Sequence, residues 1–296
     1  MSFAVQVKNE LCENGLGKSC CMKAELAAFF LFGARMQEGA VKFVTEHAVV
    51  AQRLVMLLQK VFAVHAKVEV RQHSINTFHL TVDRDVDRML SELGIEQQFR
   101  INYHLLREEC CMKAFLRGAF FSCGSITDPE KNYHMEFVTF RRQLSQDFLS
   151  LLSELGIDAR ISIRKSNYVI YVKSGEVIGE VLILMGATGA LMEFENIRIV
   201  KEVNNASNRA VNCDMANVDR QIKAAGRQQR AIEKLTVAHA VLPPELQEFC
   251  RVRLENPNAS LEELGKLIDP PLSKSGANHR MRKILKLADE IDEGSK

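Results

Sequence analysis

The pentapeptide CCMKA occupies residues 20–24 and recurs unchanged at residues 110–114. Each copy leads into a short apolar stretch, residues 26–30 in the first and residues 116–120 in the second. An identical pentapeptide ahead of two similar apolar stretches is typical of an internal duplication. The front of the chain is therefore predicted to hold two copies of one structural unit.

The match continues downstream at an offset of 90 to 94 residues. Four further pairs of segments correspond: 43–45 with 137–139, 57–58 with 151–152, 67–71 with 160–164, and 77–82 with 168–173. Apolar and polar residues alternate in the third pair, which is the period of a half-buried strand. Each copy is predicted to form a helix, a strand, a helix, a hairpin and a helix. The expected fold class is α+β, with repeats at 1–105 and 106–203 related by a pseudo-two-fold axis.

Small residues stand inside the two repeat-opening helices, at Ala27, Ala28 and Gly118. Small side chains allow two helix backbones to approach closely, so we expect these helices to pack against each other. The alternative is that the small residues only relieve crowding within each helix.

After residue 203 the composition becomes polar, with five asparagines between 204 and 217. Such a stretch is typical of a connector, and a linker is predicted at 204–225. Apolar residues at helical spacing then predict a helix with a break near Gly226: Val218, Ile222, Ala225, Ile232 and Leu235. The last domain is expected at 226–296.

The last domain is predicted to be all-α, with prolines separating short helices. Pro243 and Pro244 begin a helix whose inner side is Leu246, Phe249, Cys250 and Leu254. Ser260 and Glu263 form a capping-box pattern ahead of Leu261, Leu264, Leu267 and Ile268. Ser273 or Ser275 can cap a final helix whose inner side is Ala277, Met281, Ile284, Leu285 and Ala288.

The outer side of the final helix is basic, and no acidic residue lies between Ser273 and Ala288. A two-turn helix, a tight turn and a longer helix rich in Ser, Asn, His and Arg form the layout of a DNA-reading helix-turn-helix. Asn and Arg can read adenine and guanine edges, and Lys and Ser suit phosphates. The predicted DNA-binding residues are Ser273, Lys274, Ser275, Asn278, His279, Arg280, Arg282 and Lys283. His279 could equally contact phosphate or lie unused in solvent.

Residues 116–124 resemble the LAGLIDADG helix of homing endonucleases, and residues 26–34 resemble a more degraded copy of it. In that family an acidic residue just before the last glycine of the motif holds divalent metal between the repeats. The corresponding positions here are Gly33 and Cys123, which cannot act as hard oxygen ligands. The resemblance therefore implies a nuclease fold without nuclease activity, although a working endonuclease remains the alternative from the enzyme class.

Residues 269–284 and 212–217 are similar to the C-terminal part of the WhiA family. This resemblance implies a catalytically inactive LAGLIDADG-like domain followed by a helix-turn-helix. It further implies a regulator of transcription or chromosome organisation, acting in sporulation, cell division or chromosome segregation. Double-stranded DNA is the expected partner, and other transcription or cell-division proteins remain open. A cytoplasmic, nucleoid-associated location is expected.

The bulk composition limits the other possibilities. The net charge of +2 gives no support to nucleic-acid binding by the chain as a whole, so the electrostatic case is local. Apolar runs are too short to span a membrane. The adjacent pairs Cys20–Cys21 and Cys110–Cys111 are poorly placed for relaxed disulfides, which fits a reducing compartment. No C-x2-C or Cys/His ladder occurs, so we expect no metal and no cofactor, and interpret the cysteines as buried thiols.

The repeat domain has a third interpretation, as a platform for protein partners or effectors. Its hairpins carry a set of basic residues: Arg71, Arg160, Arg164, Lys165 and Lys173. These could be the remnant of a DNA-binding saddle, but solvated strand faces are the favoured interpretation.

Overall fold

The computed structural model describes residues 2–72, 74, 76–95 and 99–293 of the chain. The chain divides into two compact units, residues 1–202 and residues 203–296. The last three residues of the predicted domain 226–296 lie outside the described residues.

The first unit opens with helix α1 (Phe3–Glu13), whose Phe3, Val7 and Leu11 are buried. The elements of the first repeat are α2 (Ser19–Ala28), a π-helical turn (Phe29–Gly33), β1 (Arg35–Gln37), β2 (Ala40–Thr45), α3 (Ala48–Phe62), β3 (Lys67–Arg71), β4 (Thr77–Val82) and α4 (Val86–Glu92). A 3₁₀ turn (Tyr103–Leu106) precedes the second repeat, which comprises α5 (Glu109–Cys123), β5 (Gly124–Ile126), β6 (Met135–Thr139), α6 (Arg142–Glu154), β7 (Arg160–Arg164), β8 (Asn167–Val172) and α7 (Gly175–Met185).

The two repeats form two antiparallel sheets of the same topology, β1-β2-β4-β3 and β5-β6-β8-β7. Phe43 of β2 lies opposite Leu80 of β4, and Phe137 of β6 lies opposite Ile170 of β8. Side chains from these positions point toward the helices and are buried. The duplication and the predicted strands are therefore confirmed.

The first strand of each sheet, β1 and β5, was missing from the sequence prediction. Each has three residues, which is too short to show an alternating pattern. Each follows directly after the apolar helix of its repeat and pairs with the next strand, so the single predicted strand is in fact a hairpin.

Helices α2 and α5 cross at Gly118. A Cβ atom on Gly118 would lie 2.9 Å from the Ala28 Cβ atom and closer still to the carbonyl oxygen of Glu25. On the same helix pair Phe29 stacks on Phe121, with ring centroids 5.9 Å apart. The close approach predicted from the small residues is thus confirmed, at least for Gly118 and Ala28.

A buried ion-pair network holds this crossing. The Glu25 carboxylate is fully buried and accepts hydrogen bonds from Arg53 Nε at 2.5 Å and Arg53 Nη2 at 3.1 Å, and from Arg117 Nε at 3.0 Å. Arg53 Nη1 also donates to the carbonyl oxygens of Leu11 and Asn14, at 3.2 and 2.7 Å. Because the buried charges are paired and hydrogen-bonded, the network ties α1, α2, α3 and α5 together without leaving an isolated charge.

Helix α8 (Thr188–Val237) contains the whole segment that was predicted to be a linker, residues 204–225. The polar asparagines lie on the exposed surface of a regular helix, so a polar composition was mistaken for an irregular connector. The predicted break near Gly226 is absent. Val218 and Ile222 are exposed, whereas Ala225, Ile232 and Leu235 are buried.

The second unit continues with α9 (Pro244–Glu255), α10 (Leu261–Lys266) and α11 (Lys274–Glu293). Its core contains Ile232, Leu235, Leu246, Phe249, Cys250, Val252, Leu264, Ile268, Ala277, Met281, Ile284 and Ala288. Two predicted core residues are wrong, because Leu254 and Leu267 are 44% and 56% exposed. Arg253 takes the inner position of α9, and its guanidinium donates to the Ala259 carbonyl. Leu267 lies just beyond the end of α10, where helical spacing no longer applies.

None of the helices in the described part of the chain is both long enough and apolar enough to cross a lipid bilayer.

Replacing Gly118 by alanine should lower the free energy of unfolding by about 1–3 kcal/mol, because the new methyl group forces α2 away from α5. The gain in helix propensity, about 1 kcal/mol, does not compensate for this overlap. The measurement is urea unfolding followed by circular dichroism. Gly15→Ala is the matched control, since a Cβ there meets no atom within 4 Å and should change stability by less than about 1 kcal/mol. Equal stability of the two variants would contradict the close crossing.

Candidate nucleic-acid interface

Helices α10 and α11 each begin with a capping serine. The Ser260 hydroxyl accepts a hydrogen bond from the Glu263 N–H at 3.2 Å, and the Glu263 carboxylate accepts one from the Ser260 N–H at 2.7 Å. This confirms the predicted capping box, and these hydrogen bonds lower the pKa of Glu263. The Ser273 hydroxyl accepts from the Gly276 N–H at 3.2 Å, so Ser273, not Ser275, caps α11.

The turn between α10 and α11 is held by a close backbone contact. The Leu272 N–H donates to the Gly265 carbonyl oxygen at 2.8 Å. A Cβ atom on Gly265 would lie 2.6 Å from the Leu272 carbonyl oxygen, so a larger residue does not fit there. Gly265 therefore allows α11 to follow α10 after a short turn, which is the arrangement of a helix-turn-helix.

Helix α11 has one buried side and one exposed side. Ala277, Met281, Ile284 and Ala288 are buried in the core of the second unit, as predicted. We call the opposite side the basic face; it consists of Lys274, Ser275, Asn278, His279, Arg282 and Lys283. All six are exposed except Asn278, which is half-buried. Among the described side chains, no carboxylate lies within ion-pair distance of the cations of Lys274, Arg282 or Lys283.

Arg280 lies apart from the basic face, contrary to its predicted place among the DNA-binding residues. Its side chain is on the flank of α11 next to α9, where Nη1 donates to the Glu245 carbonyl oxygen at 3.3 Å. Counting 100° per residue around the helix places it about 160° from Arg282. Ser273 lies at the N-terminal end of the helix with its hydroxyl engaged in capping. The structure therefore brings six of the eight predicted residues onto one face.

Lys286 extends the basic face by one further turn, and it was not among the predicted site residues. Its amine lies 3.7 Å from the Glu290 carboxylate, so its charge is partly compensated. The signal that could have included it was the absence of acidic residues as far as Ala288.

The outer faces of the two sheets are less uniformly basic. Lys67 pairs with Asp83 at 2.5 Å, and Arg164 lies 3.6 Å from Glu136. Glu69 lies between Lys67 and Arg71 on the same face of β3. The carboxylates of Glu69 and Glu136 thus lie among the hairpin cations, as they do on a solvated strand face.

Gly33 and Cys123 are the two positions predicted from the LAGLIDADG resemblance to have lost their metal-binding carboxylates. A Cβ on Gly33 would lie 3.5 Å from Ser122, so the two repeat ends do meet here. The Cys123 thiol donates to the Ala119 carbonyl oxygen at 3.3 Å, and burial raises its pKa to about 12. Glu38 and Asp128, the acids that follow along the chain, lie in exposed loops.

A lysine occupies this region as well. The Lys8 side chain is buried, and its amine lies 5.5 Å from the centre of the Phe120 ring. Burial lowers the pKa of Lys8, opposed in part by the nearby Cys123, Cys12 and Glu46. A neutral thiol, a glycine and a buried amine do not fit a divalent cation, which needs several oxygen ligands.

Three family models match the chain in succession. They are the WhiA N-terminal LAGLIDADG-like domain at residues 19–96, the WhiA LAGLIDADG-like domain at residues 112–204, and the WhiA C-terminal HTH domain at residues 207–288. The first two models correspond to the two repeats, and the third contains α9, α10 and most of α11.

Similar proteins match along the whole chain. "Probable cell division protein WhiA" of Alkaliphilus metalliredigens is 37% identical, with 98% of each chain covered. The protein of the same name from Caldicellulosiruptor bescii is 38% identical, covering 99% of this chain and 97% of the relative. Among solved structures, full-length DUF199/WhiA from "Thermatoga maritima" has a TM-score of 0.62 at 26% identity, covering 98% of this chain and 99% of that chain. The predicted fold class is thereby confirmed.

Replacing Lys8 by methionine should raise the free energy of unfolding at pH 7 by about 1 kcal/mol, because a buried charge is exchanged for an apolar side chain of similar length. The pKa of Lys8 is lower in the folded than in the unfolded chain, so between these two values the unfolded chain binds more protons. Wild-type stability therefore gains with rising pH toward 10.5, the ordinary lysine value, and the advantage of the variant shrinks.

Urea unfolding of both proteins at pH 7, 8, 9 and 10 measures this difference. Exposed Lys60 supplies the control variant Lys60→Met, which makes the same substitution on the surface instead of in the interior. A Lys8→Met variant that is less stable than wild type at pH 7 would show that the amine makes a net favourable interaction.

Proposed function

The chain belongs to the WhiA family, and on this basis we propose that it is a DNA-binding regulator of cell division that catalyses no reaction. The finer roles that fit this proposal are regulation of transcription, chromosome segregation or sporulation, together with association with the nucleoid. The relatives' names specify cell division alone.

The observation that supports DNA binding is the uncompensated basic face of α11. Lys274, Arg282 and Lys283 have no ion-pair partner among the described residues, so their charges are available to a polyanion. Arg282 and Asn278 are four residues apart, and therefore neighbours on the helix surface. Arginine can bind the O6 and N7 atoms of guanine with two hydrogen bonds, and asparagine can do the same with adenine.

Phosphate contacts are proposed for the N-terminal end of α11. Ser275 and Lys274 lie in its first turn, where the helix dipole favours a negative charge. Lysine and serine donate to phosphate without reading the base, so they orient the helix on the duplex. Lys283, about two turns further along the helix, is proposed to contact phosphate as well. The core residues of α11 hold this face rigidly outward, as major-groove reading requires.

The absence of catalysis is proposed from the chemistry at the repeat junction. A two-metal nuclease stabilises the attacking and leaving oxygens with divalent cations held by carboxylates. Here Gly33 carries no ligand atom, Cys123 is a half-buried thiol, and Lys8 places an amine nearby. The endonuclease alternative finds no support in these residues.

Fluorescence anisotropy with duplexes recovered from a random-sequence library by the full chain tests DNA binding. Arg282→Ala should weaken binding by about 1–3 kcal/mol, the range for loss of a bidentate base contact. Lys283→Ala should weaken binding to all duplexes alike. The slope of log affinity against log salt concentration should become shallower by about one. Arg251→Ala is the matched control, because exposed Arg251 of α9 carries the same charge but is paired with Glu255 at 2.8 Å.

Two results would contradict the proposed interface. One is unchanged affinity of an Arg282→Ala, Lys283→Ala double variant. The other is an equal loss of DNA affinity in Arg251→Ala, which would show that the loss depends on net charge alone. Arg280→Ala should leave the affinity within about twofold of wild type, since its side chain lies off the basic face.

Supercoiled plasmid incubated with the full chain and magnesium or manganese should stay intact. The variant Lys8→Met serves as a second sample, because it removes the buried cation without supplying a metal ligand, and it should be equally inactive. Nicking or cleavage that follows the purified protein through every column fraction would overturn the assignment of Gly33 and Cys123 as non-catalytic.

A further inference from the structure

Four cysteines meet where helices α2 and α5 begin. Cys20 and Cys21 are the second and third residues of α2, and Cys110 and Cys111 are the second and third residues of α5. Their four sulfur atoms all lie within 4.8 Å of one another. In the described residues this is the one group of three or more His, Cys, Asp or Glu side chains close enough to share a metal ion.

We propose that Cys20, Cys21, Cys110 and Cys111 bind one zinc ion, which joins the two repeats. The site lies on the helix pair that carries the degenerate nuclease positions, but at the opposite end. Twelve residues of α5 separate Cys111 from Cys123, about 18 Å at the helical rise per residue. The proposal is independent of DNA binding by α11.

The duplication explains how the four thiols come together. Each repeat supplies one CCMKA segment at the start of its opening helix, and the crossing at Gly118 brings the two helices close. Each repeat supplies one adjacent pair of thiols, and the four sulfur atoms lie close enough across the repeats for one ion to contact them all.

The sulfur separations suit a single metal ion. In a tetrahedral zinc site the Zn–S distance of about 2.3 Å places neighbouring sulfur atoms about 3.8 Å apart. The Cys20 and Cys21 sulfur atoms are already 4.0 Å apart, and the widest separation allowed by the cluster is 4.8 Å. Closure around zinc therefore requires movements of about 1 Å or less, within reach of small side-chain rotations. An iron–sulfur cluster would need wider spacing, because several ions must fit between the thiolates.

The helix ends provide favourable electrostatics for bound thiolates. Zinc with four thiolates carries a net charge of −2, and both helices direct the positive ends of their dipoles toward the cluster. Neither Lys18 nor Glu108, the N-cap residues, makes a side-chain capping hydrogen bond. First-turn N–H groups without a side-chain cap are thus available to the sulfur atoms.

The exposure of the four cysteines fits a structural metal site with an open approach. Cys21 and Cys111 are buried at 7% and 2% exposure, whereas Cys20 and Cys110 reach the surface. An ion can therefore enter from solvent and be held by the inner pair. Four thiolates complete the tetrahedron and leave no position for water, which is typical of structural zinc and not of catalytic zinc.

The sequence prediction of no metal relied on the absence of C-x2-C spacing. That rule applies to sites built from one short segment, and here two segments 90 residues apart supply the ligands. The expectation that the cysteines are buried holds for Cys21, Cys111 and Cys250 but not for Cys20, Cys110 or Cys213, which are exposed. The exact repetition of the cysteine pair was the available signal.

Metal content of the full chain, purified under reducing conditions and incubated with zinc, is the direct test. Mass spectrometry of metals should find one zinc per chain in wild type. Cys110→Ser should lower zinc affinity at least about 100-fold, since even partners outside the coordination sphere contribute 10–100-fold. Cys213→Ser is the matched control, because it removes an exposed thiol from α8 and should retain the zinc. Cobalt in place of zinc should give the visible absorption of a tetrahedral thiolate site in wild type and Cys213→Ser only.

Thermal unfolding gives a second measurement that does not depend on the variant folding well. Zinc should raise the Tm of wild type with increasing ion concentration, and a chelator should reverse the rise. The Tm of Cys110→Ser should not respond to either.

Three outcomes would overturn the proposal: no zinc bound while all four thiols are free, zinc lost equally from Cys213→Ser, or a disulfide between the repeats, such as Cys20 to Cys111, that persists under the reducing conditions and excludes the metal.

Discussion

The contact between α2 and α5 at Gly118 is the constraint on which the first unit depends. Because no side chain separates the helices, the Glu25 carbonyl lies against Gly118, and the Glu25 carboxylate is enclosed with Arg53 and Arg117. Isolated burial of that carboxylate would be costly, so the arginines of α3 and α5 must be in place whenever the helices are in contact. The same pairing fixes the carbonyl oxygens at the end of α1 through Arg53. Close packing and charge pairing therefore require each other.

The C-terminal and N-terminal ends of the α2–α5 pair differ in chemistry. The C-terminal ends carry partial negative charge, which favours a cation, and the nuclease fold uses such a position for metal. In this chain the side-chain amine of Lys8 lies there, close to Cys123. At the N-terminal ends the partial charge is positive, and four thiols are gathered. A metal–thiolate centre carrying net negative charge suits that end, whereas a carboxylate-bound metal suits the other.

Sequence patterns predicted the features that depend on local periodicity or repetition. Strand β4 at 77–82, the capping box at Ser260 and the buried side of α11 each follow from neighbours within one element. The features that were missed depend on tertiary packing. Arg253 instead of Leu254 takes the core position because a carbonyl of the following loop accepts a hydrogen bond from its guanidinium, and Arg280 lies against α9 because it donates to the Glu245 carbonyl. Neither acceptor can be identified before the fold is known.

The basic face also shows why whole-chain charge is a poor guide to function. Exposed charges further apart than about 8–10 Å are largely screened at physiological salt, so a ligand on α11 responds to Lys274, Arg282 and Lys283 and hardly to the net charge of +2. What decides the local field is pairing. The sheet cations Lys67 and Arg164 have carboxylates within 4 Å, and those of the basic face have none among the described side chains. A phosphate that approaches α11 displaces only water and counterions, whereas at Lys67 or Arg164 it must compete with a carboxylate already present. This difference, rather than the number of basic residues, supports the proposal that α11 binds DNA.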